Sequence, residues 1–285
     1  MRGLITFNQT DDQILEMIFQ KTTKVCPKCN HEKFYKVNNR KCYECGKCSN
    51  QIYPLKGTIM ESTKLPLKYW MVVINEFYLT RNGVSAKEIQ RRLNVTYKVA
   101  WNITSKVRSQ MKNVDTEQLS GTIEIDEAYI GGKKRHYHAH PFVNKSTVLG
   151  MLERNGRVRL FVIKNRNKET MIPLIRKHVT KGSTIYTDEH GAYSCLSEEG
   201  YVHDSIQHNK YQWSKGNVST NSIEGFWSKL KISIRGTYIH VSKEKLQSYL
   251  DEFAFRHNRR HEPERILDDI INVIINSSIS RTIEK

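Results

Sequence analysis

The sequence predicts a multidomain α+β protein, and three observations carry that expectation. Five of the six cysteines lie between positions 26 and 48; residues 57 to 113 carry apolar side chains at helical spacing; and from about 120 onward alternating segments interleave with helices. At 285 residues and 38% hydrophobic content the chain has enough apolar material for more than one folded core. The expected divisions are an N-terminal helix over 1–20, a cysteine-stapled ribbon over 21–56, a helical region over 57–118, a mixed α/β domain over 119–262 and a helical tail over 263–285. The main break is placed in the polar stretch NVDTEQLSG, just before residue 122.

The first element, DDQILEMIFQ, reads as a short amphipathic helix. Next come Cys26-Pro-Lys-Cys29 and Cys42-Tyr-Glu-Cys45, two CxxC pairs twelve residues apart. The filling is polar and turn-rich, too short to fold on an apolar core alone. Four thiolates around a tetrahedral Zn²⁺ would supply the missing folding energy, and the chain lacks an export signal, which favours metal over disulfides. Free thiols or disulfides are the alternative. Cys48 forms a further CxxC with Cys45; the pair Cys42 and Cys45 is preferred because it leaves the longer β-loop. Four cysteine ligands leave no open coordination position, so the zinc is structural.

In SAKEIQRRLNVTYKVAWNITSKVRSQM the residues Ile89, Leu93, Val95, Val99 and Ile103 recur at helical spacing, with a break near Asn94. This predicts a helix-turn-helix-like pair over 85–108, whose second helix offers Lys98, Lys106 and Arg108 to DNA. A plain helical hairpin with a solvated basic face is the bland reading of the same pattern.

Then TIEIDEAYI alternates as a strand, and STVLGMLER and RVRLFVIK form a hairpin about Asn155 and Gly156. NKETMIPLIRKHV is a helix, GSTIYTDEHGAY a strand running into a turn, YVHDSIQH a weaker strand, and two helices cover Asn221 to Arg235 and Ser242 to His257. The result is a mixed sheet with helices on it.

Lys and Arg number 46 against 29 Asp and Glu, a net charge of +17 with a pI near 9.6, so a polyanion is the expected partner. No apolar run is long enough to span a membrane and MRGLITFNQTDDQ lacks the order of a signal peptide. An intracellular protein that works where the DNA is follows as the expectation.

Within that basic chain, three acids are placed as site residues are. Ile123 and Ile125 point to one face of their strand and Thr122, Glu124 and Asp126 to the other, while Asp188 closes the apolar run Thr184 to Tyr186. On a helix, TNSIEGFWSKLK puts Ile223, Phe226, Trp227, Leu230 and Ile234 on one stripe and Asn221, Glu224, Ser228, Lys231 and Arg235 on another. Two strand-borne aspartates and a helix-borne glutamate would hold two Mg²⁺ or Mn²⁺ ions through oxygen for in-line displacement at phosphorus. Taken singly, Glu224 is explained as a solvated helix acid and Asp188 as a turn cap.

Thirty-five residues separate Asp188 from Glu224, and the element order resembles the RNase H-like fold of DDE transposases and integrases. CPKC, CYEC, GTIMESTKLPLKYW, IEIDEAYIGGKKR, YTDEHGAY, TNSIEGFWSKLKISIRGTYIHVS and LQSYLDEFAFRHNRR together resemble the zinc-ribbon, Merlin-related (ISXO-like) insertion-sequence transposases, from about residue 20 to 262. The resemblance implies a DNA transposase that recognises the terminal inverted repeats of its own element and acts as a homodimer or larger assembly on DNA. It implies Asp126 and Asp188 as the first two catalytic acids and, as the third ligand, Glu224 or else Asn221 of the TN-x-IE motif. Glu224 is preferred because a carboxylate neutralises Mg²⁺ and an amide does not. It also implies Lys231 as the helix lysine that holds DNA, with Lys133, Lys134, Arg135, Lys229 and Arg235 along the DNA path. Ser219 stands where the family pattern has His. A transposase-derived DNA-binding protein that no longer cleaves is the runner-up.

Overall fold

The computed structural model describes residues 9–80, 82–131, 145–206, 219–262, 265–266 and 268–273. The chain divides into two compact units, Lys112–His261 and the rest. Lys133, Lys134 and Arg135 lie outside the described residues.

In the first unit, helix α1 (Asp11–Thr22) opens with a capping box in which Gln13 N–H donates to Thr10 Oγ1 and Thr10 N–H donates to Gln13 Oε1. Its buried face carries Ile14, Leu15, Ile18 and Phe19. The ribbon is a three-stranded antiparallel sheet in the order β1 (Phe34–Lys36), β2 (Tyr43–Cys45), β3 (Gln51–Ile52). Phe19 stacks on Tyr43 at 3.9 Å and meets Phe34 edge-on at 5.2 Å. The ribbon therefore borrows an apolar floor from α1, which its own sequence lacks.

Helix α2 (Leu67–Leu79) begins at Pro66, which offers no side-chain cap. Asp11 supplies one instead, its two oxygens accepting from Leu67 N–H at 2.9 Å and Lys68 N–H at 3.1 Å. Helix α3 (Ala86–Leu93) is capped by Ser85 and ends at Asn94, whose left-handed φ of 50° turns the chain into α4 (Tyr97–Gln110), capped by Thr96. Ile89, Ala100, Ile103 and Val107 are the buried seam of this pair. Lys98 and Lys106 are exposed, and Lys106 Nζ donates to Ile59 carbonyl oxygen at 3.4 Å and lies over the Trp70 ring. Arg108 corrects the reading: it is 3% exposed, donates to Val84 carbonyl oxygen at 3.2 Å and lies over the Phe77 ring, so it locks α4 to the turn before α3. Helical spacing allowed both roles, and burial decides between them.

The second unit is a five-stranded sheet in the order β6 (Val158–Ile163), β5 (Ser146–Glu153), β4 (Thr122–Ile130), β7 (Thr184–Asp188), β8 (Val202–Ile206). The first three strands pair antiparallel, while β4, β7 and β8 pair parallel. Helix α5 (Lys168–His178) covers one face through Met171, Ile172 and Ile175 against Ile123, Ile125 and Ile185. Helices α6 (Asn221–Ser233) and α7 (Lys243–Asn258) cover the other through Ile223, Trp227, Leu230, Leu246 and Leu250 against Ala128, Ile130 and Val148. This three-layer arrangement is the mixed sheet with helices on it that the sequence predicts. No helix among the described residues is long and apolar enough to cross a membrane.

Candidate functional site

Strands β4 and β7 run side by side, with Thr122 opposite Thr184, Ile123 opposite Ile185 and Glu124 opposite Tyr186. Continuing that register sets Asp126 level with Asp188, the last residue of β7. Residues matched in a parallel pair project from the same face, here the one covered by α6. Carboxylate oxygens of Asp126, Glu127 and Asp188 lie within 4.8 Å of one another.

Asp126 is fixed by Trp227, whose indole Nε1–H donates to Oδ2 at 3.0 Å. Burial, with the charges of Glu127 and Asp188 adding to it, pushes its carboxyl up to about 6. The indole fits because the cross-strand partner of Asp126 is Gly150: a Cβ there would stand 2.5 Å from Trp227 Cζ2.

Helix α6 is seated by Glu124, two residues before Asp126 and on the same face. Its fully buried carboxylate accepts from Ser222 N–H at 2.9 Å and Ile223 N–H at 3.0 Å through Oε2, and from Arg154 Nε at 2.8 Å through Oε1. Arg154 goes on to Ser219, donating to its carbonyl oxygen at 3.1 Å and its Oγ at 2.7 Å. The helix's own N-cap residue, Thr220, makes no side-chain cap bond. A carboxylate from a distant strand does that work and complements the positive end of the helix dipole.

Glu127 faces the α5 side. Tyr193 hydroxyl donates to its Oε1, and Arg166 Nη2 lies 2.6 Å from its Oε2 and 3.7 Å from Asp188 Oδ2. Among the described acids Glu127 stands in the converging group, where the sequence had placed Glu224. Glu224 and Asn221 occupy the exposed first turn of α6, with Glu224 Oε1 accepting from Thr220 Oγ1 at 3.1 Å. Glu224 precedes Trp227 by three residues, so it is one helical turn from the side chain that touches Asp126. Lys229 and Arg235 are exposed on the same helical segment and Lys231 is half-buried.

The second centre lies in the ribbon. The sulfurs of Cys26, Cys29, Cys45 and Cys48 come within 4.8 Å of one another, with Cys26 to Cys48 at 3.7 Å and Cys29 to Cys45 at 3.5 Å. Four sulfurs at about 2.3 Å from one tetrahedral centre would lie about 3.8 Å apart, so this set fits Zn²⁺. The two knuckles are built alike. Asn30 N–H donates to Cys26 carbonyl oxygen and Ser49 N–H to that of Cys45, with Asn30 at φ 57° and Ser49 at φ 54°. Cys26 N–H and Cys45 N–H in turn donate to His31 and Asn50 carbonyl oxygens. Cys42 corrects the expected set: the stretch from it to Cys45 runs along β2, and residues three apart on a strand face opposite ways about 10 Å from each other. Cys42 is buried away from the sulfur cluster.

Two family models match the chain, the ISXO2-like transposase domain over residues 118–258 and the transposase zinc-ribbon domain over residues 9–51. The protein carries an ISXO2-like transposase domain behind a transposase zinc ribbon. A curated relative, an uncharacterized transposase-like protein of Haemophilus influenzae, is 26% identical over 123 residues, which is 43% of this chain and 97% of that protein. Two solved structures match at low similarity. A pre-cleavage Mos1 transpososome has 10% identity and a TM-score of 0.27 over 73% of this chain and 78% of that one. A Mos1 transposase paired-end complex with left transposon end has 12% identity and a TM-score of 0.30 over 93% and 94%. In the transposase domain, the acid pocket and the whole seat of α6 fall inside the matched residues. Glu124, Glu127, Arg154, Arg166 and Tyr193 are the members of that site the sequence did not single out.

Proposed function

We propose that this chain is a divalent-metal-dependent DNA transposase that binds the terminal inverted repeats of its own element, cleaves the DNA strand there and transfers it to a target. The observation that carries the reading is the convergence of Asp126 and Asp188 from adjacent parallel strands into one pocket. An all-oxygen donor set suits Mg²⁺ or Mn²⁺, and a buried carboxyl held up near 6 among other acids is one whose charged form a bound cation would stabilise. Asp126 and Asp188 would hold the ions, with Glu224, or Asn221 in its place, joining from the first turn of α6. When bound, such ions promote ionisation of the attacking hydroxyl and offset charge on the leaving oxygen.

The chain's own residues do the rest. The Trp227 bond to Oδ2 fixes the orientation in which Asp126 presents its carboxylate to the site. Attack by water forms one P–O bond as the bond to the 3′ oxygen breaks; the attacking oxygen gives up a proton and the departing one gains a proton. The freed 3′ hydroxyl repeats the step on target DNA. Lys229, Lys231 and Arg235 supply phosphate contacts along α6, and Lys133, Lys134 and Arg135 add their charge to DNA binding. The zinc-bound ribbon (Cys26, Cys29, Cys45, Cys48) and the α3–α4 pair with Lys98 and Lys106 recognise the ends. Two ends require two active sites, so a homodimer or larger assembly forms on DNA.

The separation of Glu224 from the converging acids favours a second reading, a transposase-derived DNA-binding protein that does not cleave. One assay decides. The protein is incubated in Mg²⁺ with a duplex bearing the inverted repeats that flank its own gene and with a target plasmid. Cleaved ends and joined products, both lost in Asp126→Asn and Asp188→Asn while end binding persists, are expected. End binding by wild type without any cleavage would establish the second reading.

A further inference from the structure

Arg166 sits in the loop between β6 and α5, where Asn165 Oδ1 accepts from Asn167 N–H at 3.3 Å and Thr170 Oγ1–H at 2.6 Å to shape the turn. Its guanidinium reaches the acid pocket from the α5 side. Glu127, which holds it, is 1% exposed, and both Glu127 oxygens are engaged, one by Arg166 and the other by the Tyr193 hydroxyl. Glu127 thus has proximity to the two aspartates, but both of its oxygens already carry a donor, one of them a cation. Arg166 is different: its side chain is 31% exposed, its Nη2 stands 3.7 Å from Asp188 Oδ2, and its Nε is buried with no hydrogen-bond partner. Glu127 and Tyr129 anchor it, and the part of the fork left open to solvent stands beside the acid where a phosphate must lie for the chemistry to occur.

A buried acid–guanidinium pair is costly to desolvate, and simple neutralisation of Glu127 would be met more cheaply by a Gln–Met pair of similar size. A planar fork that is rigidly held and partly open to solvent is instead suited to an oxyanion. We propose that Arg166 is a phosphate-binding residue of the active site, its exposed N–H groups donating to a non-bridging oxygen of the scissile phosphate, with Glu127 and Tyr193 as the positioning residues that aim it. In phosphoryl transfer the charge spreads over the equatorial oxygens, where a preorganised guanidinium acts most strongly. The inference rests on the transposase reading above and assigns Glu127 away from the metal.

The test uses the full-length protein as wild type, Arg166→Met, Arg166→Lys, Glu127→Gln and the double variant Arg166→Met with Glu127→Gln, which leaves no unpaired buried charge and so guards against misfolding. Three quantities are read: single-turnover nicking of supercoiled plasmid in Mn²⁺, Mn²⁺ affinity without DNA by electron paramagnetic resonance, and duplex affinity in Ca²⁺ by anisotropy. Arg166→Met and the double variant should nick about 10²- to 10³-fold more slowly with Mn²⁺ affinity equal or tighter and duplex affinity nearly unchanged. Arg166→Lys should recover part of the rate. Glu127→Gln should slow nicking and leave Mn²⁺ affinity as it is. Recovery of the wild-type rate in the double variant would reduce Arg166 to a counter-ion, and a loss of Mn²⁺ affinity in Glu127→Gln would make Glu127 a ligand; either overturns the proposal. A wild type that binds Mn²⁺ yet never nicks overturns the transposase reading itself, and this inference with it.

Discussion

Asp126 shows how a single side chain records the chemistry expected of it. Its folded pKa, about 6, lies above the ordinary 3.8, so ionisation opposes folding once the pH exceeds the folded value, and the penalty fades as pH falls from about 6 toward 3.8. About two units correspond to about 3 kcal/mol. In EDTA, Asp126→Asn should therefore melt above wild type at neutral pH and match it near pH 4. Equal melting at every pH would mean that burial costs this carboxylate nothing. The sequence exposed Asp126 and Asp188 because alternation and strand ends are local signals. It misassigned a cysteine because both CxxC spacings are identical on paper, and only backbone shape, a strand at Cys42 and a left-handed turn at Ser49, separates them. Mass spectrometry under native conditions should find zinc retained in Cys42→Ser and lost in Cys48→Ser; the reverse would restore Cys42 as the ligand. Glu127 and Arg166 were illegible for a related reason: an acid next to Asp126 in sequence looks solvated until its partner, 39 residues away, is known.

Two helices of this molecule, α2 and α6, begin without a cap of their own and receive a carboxylate from afar, Asp11 for one and Glu124 for the other. Sequence rules look for caps at the residue before the helix, so neither was found, although the helical character of residues 57 to 113 and the start of a helix at Asn221 were legible from the 3.6-residue period. The continuation of α6 into a single π turn over Ile234–Tyr238 left no mark in that period either. Glu124→Ala orphans Arg154 as well as the helix end and should cost about 3 kcal/mol in a denaturant titration, with amide exchange rising first at Ser222 and Ile223. Glu124→Gln should cost less. Little loss in the alanine variant would show that packing of α6 alone suffices. Gly150→Ala acts from the facing strand: Trp227 must move, so its bond to Asp126 breaks and the indole nitrogen's proton should exchange faster. An unchanged indole signal by NMR would show that the sheet yields instead.

At the scale of the molecule, a charge of +17 is distributed over two compact units, one holding the sulfur cluster and the other the acid pocket. If Lys231 and Arg235 each meet a phosphate, replacing both with Ala should flatten the slope of log affinity against log salt by about 1.8, at roughly 0.9 per contact. An unchanged slope would remove them from the DNA path. The sheet's strand order was not legible in the sequence, because the partners β4 and β7 are separated by a hairpin and a helix and alternation does not name a neighbour. The seat of Trp227 on Gly150 also reaches beyond the folded chain to its gene. Every base change in a glycine codon that alters the residue adds at least a Cβ, and the sheet beside Asp126 has no room for one. Any sister copy of this gene whose codon 150 encodes another amino acid should make a protein with Trp227 displaced, so that one codon sorts intact copies from decayed ones before any protein is made.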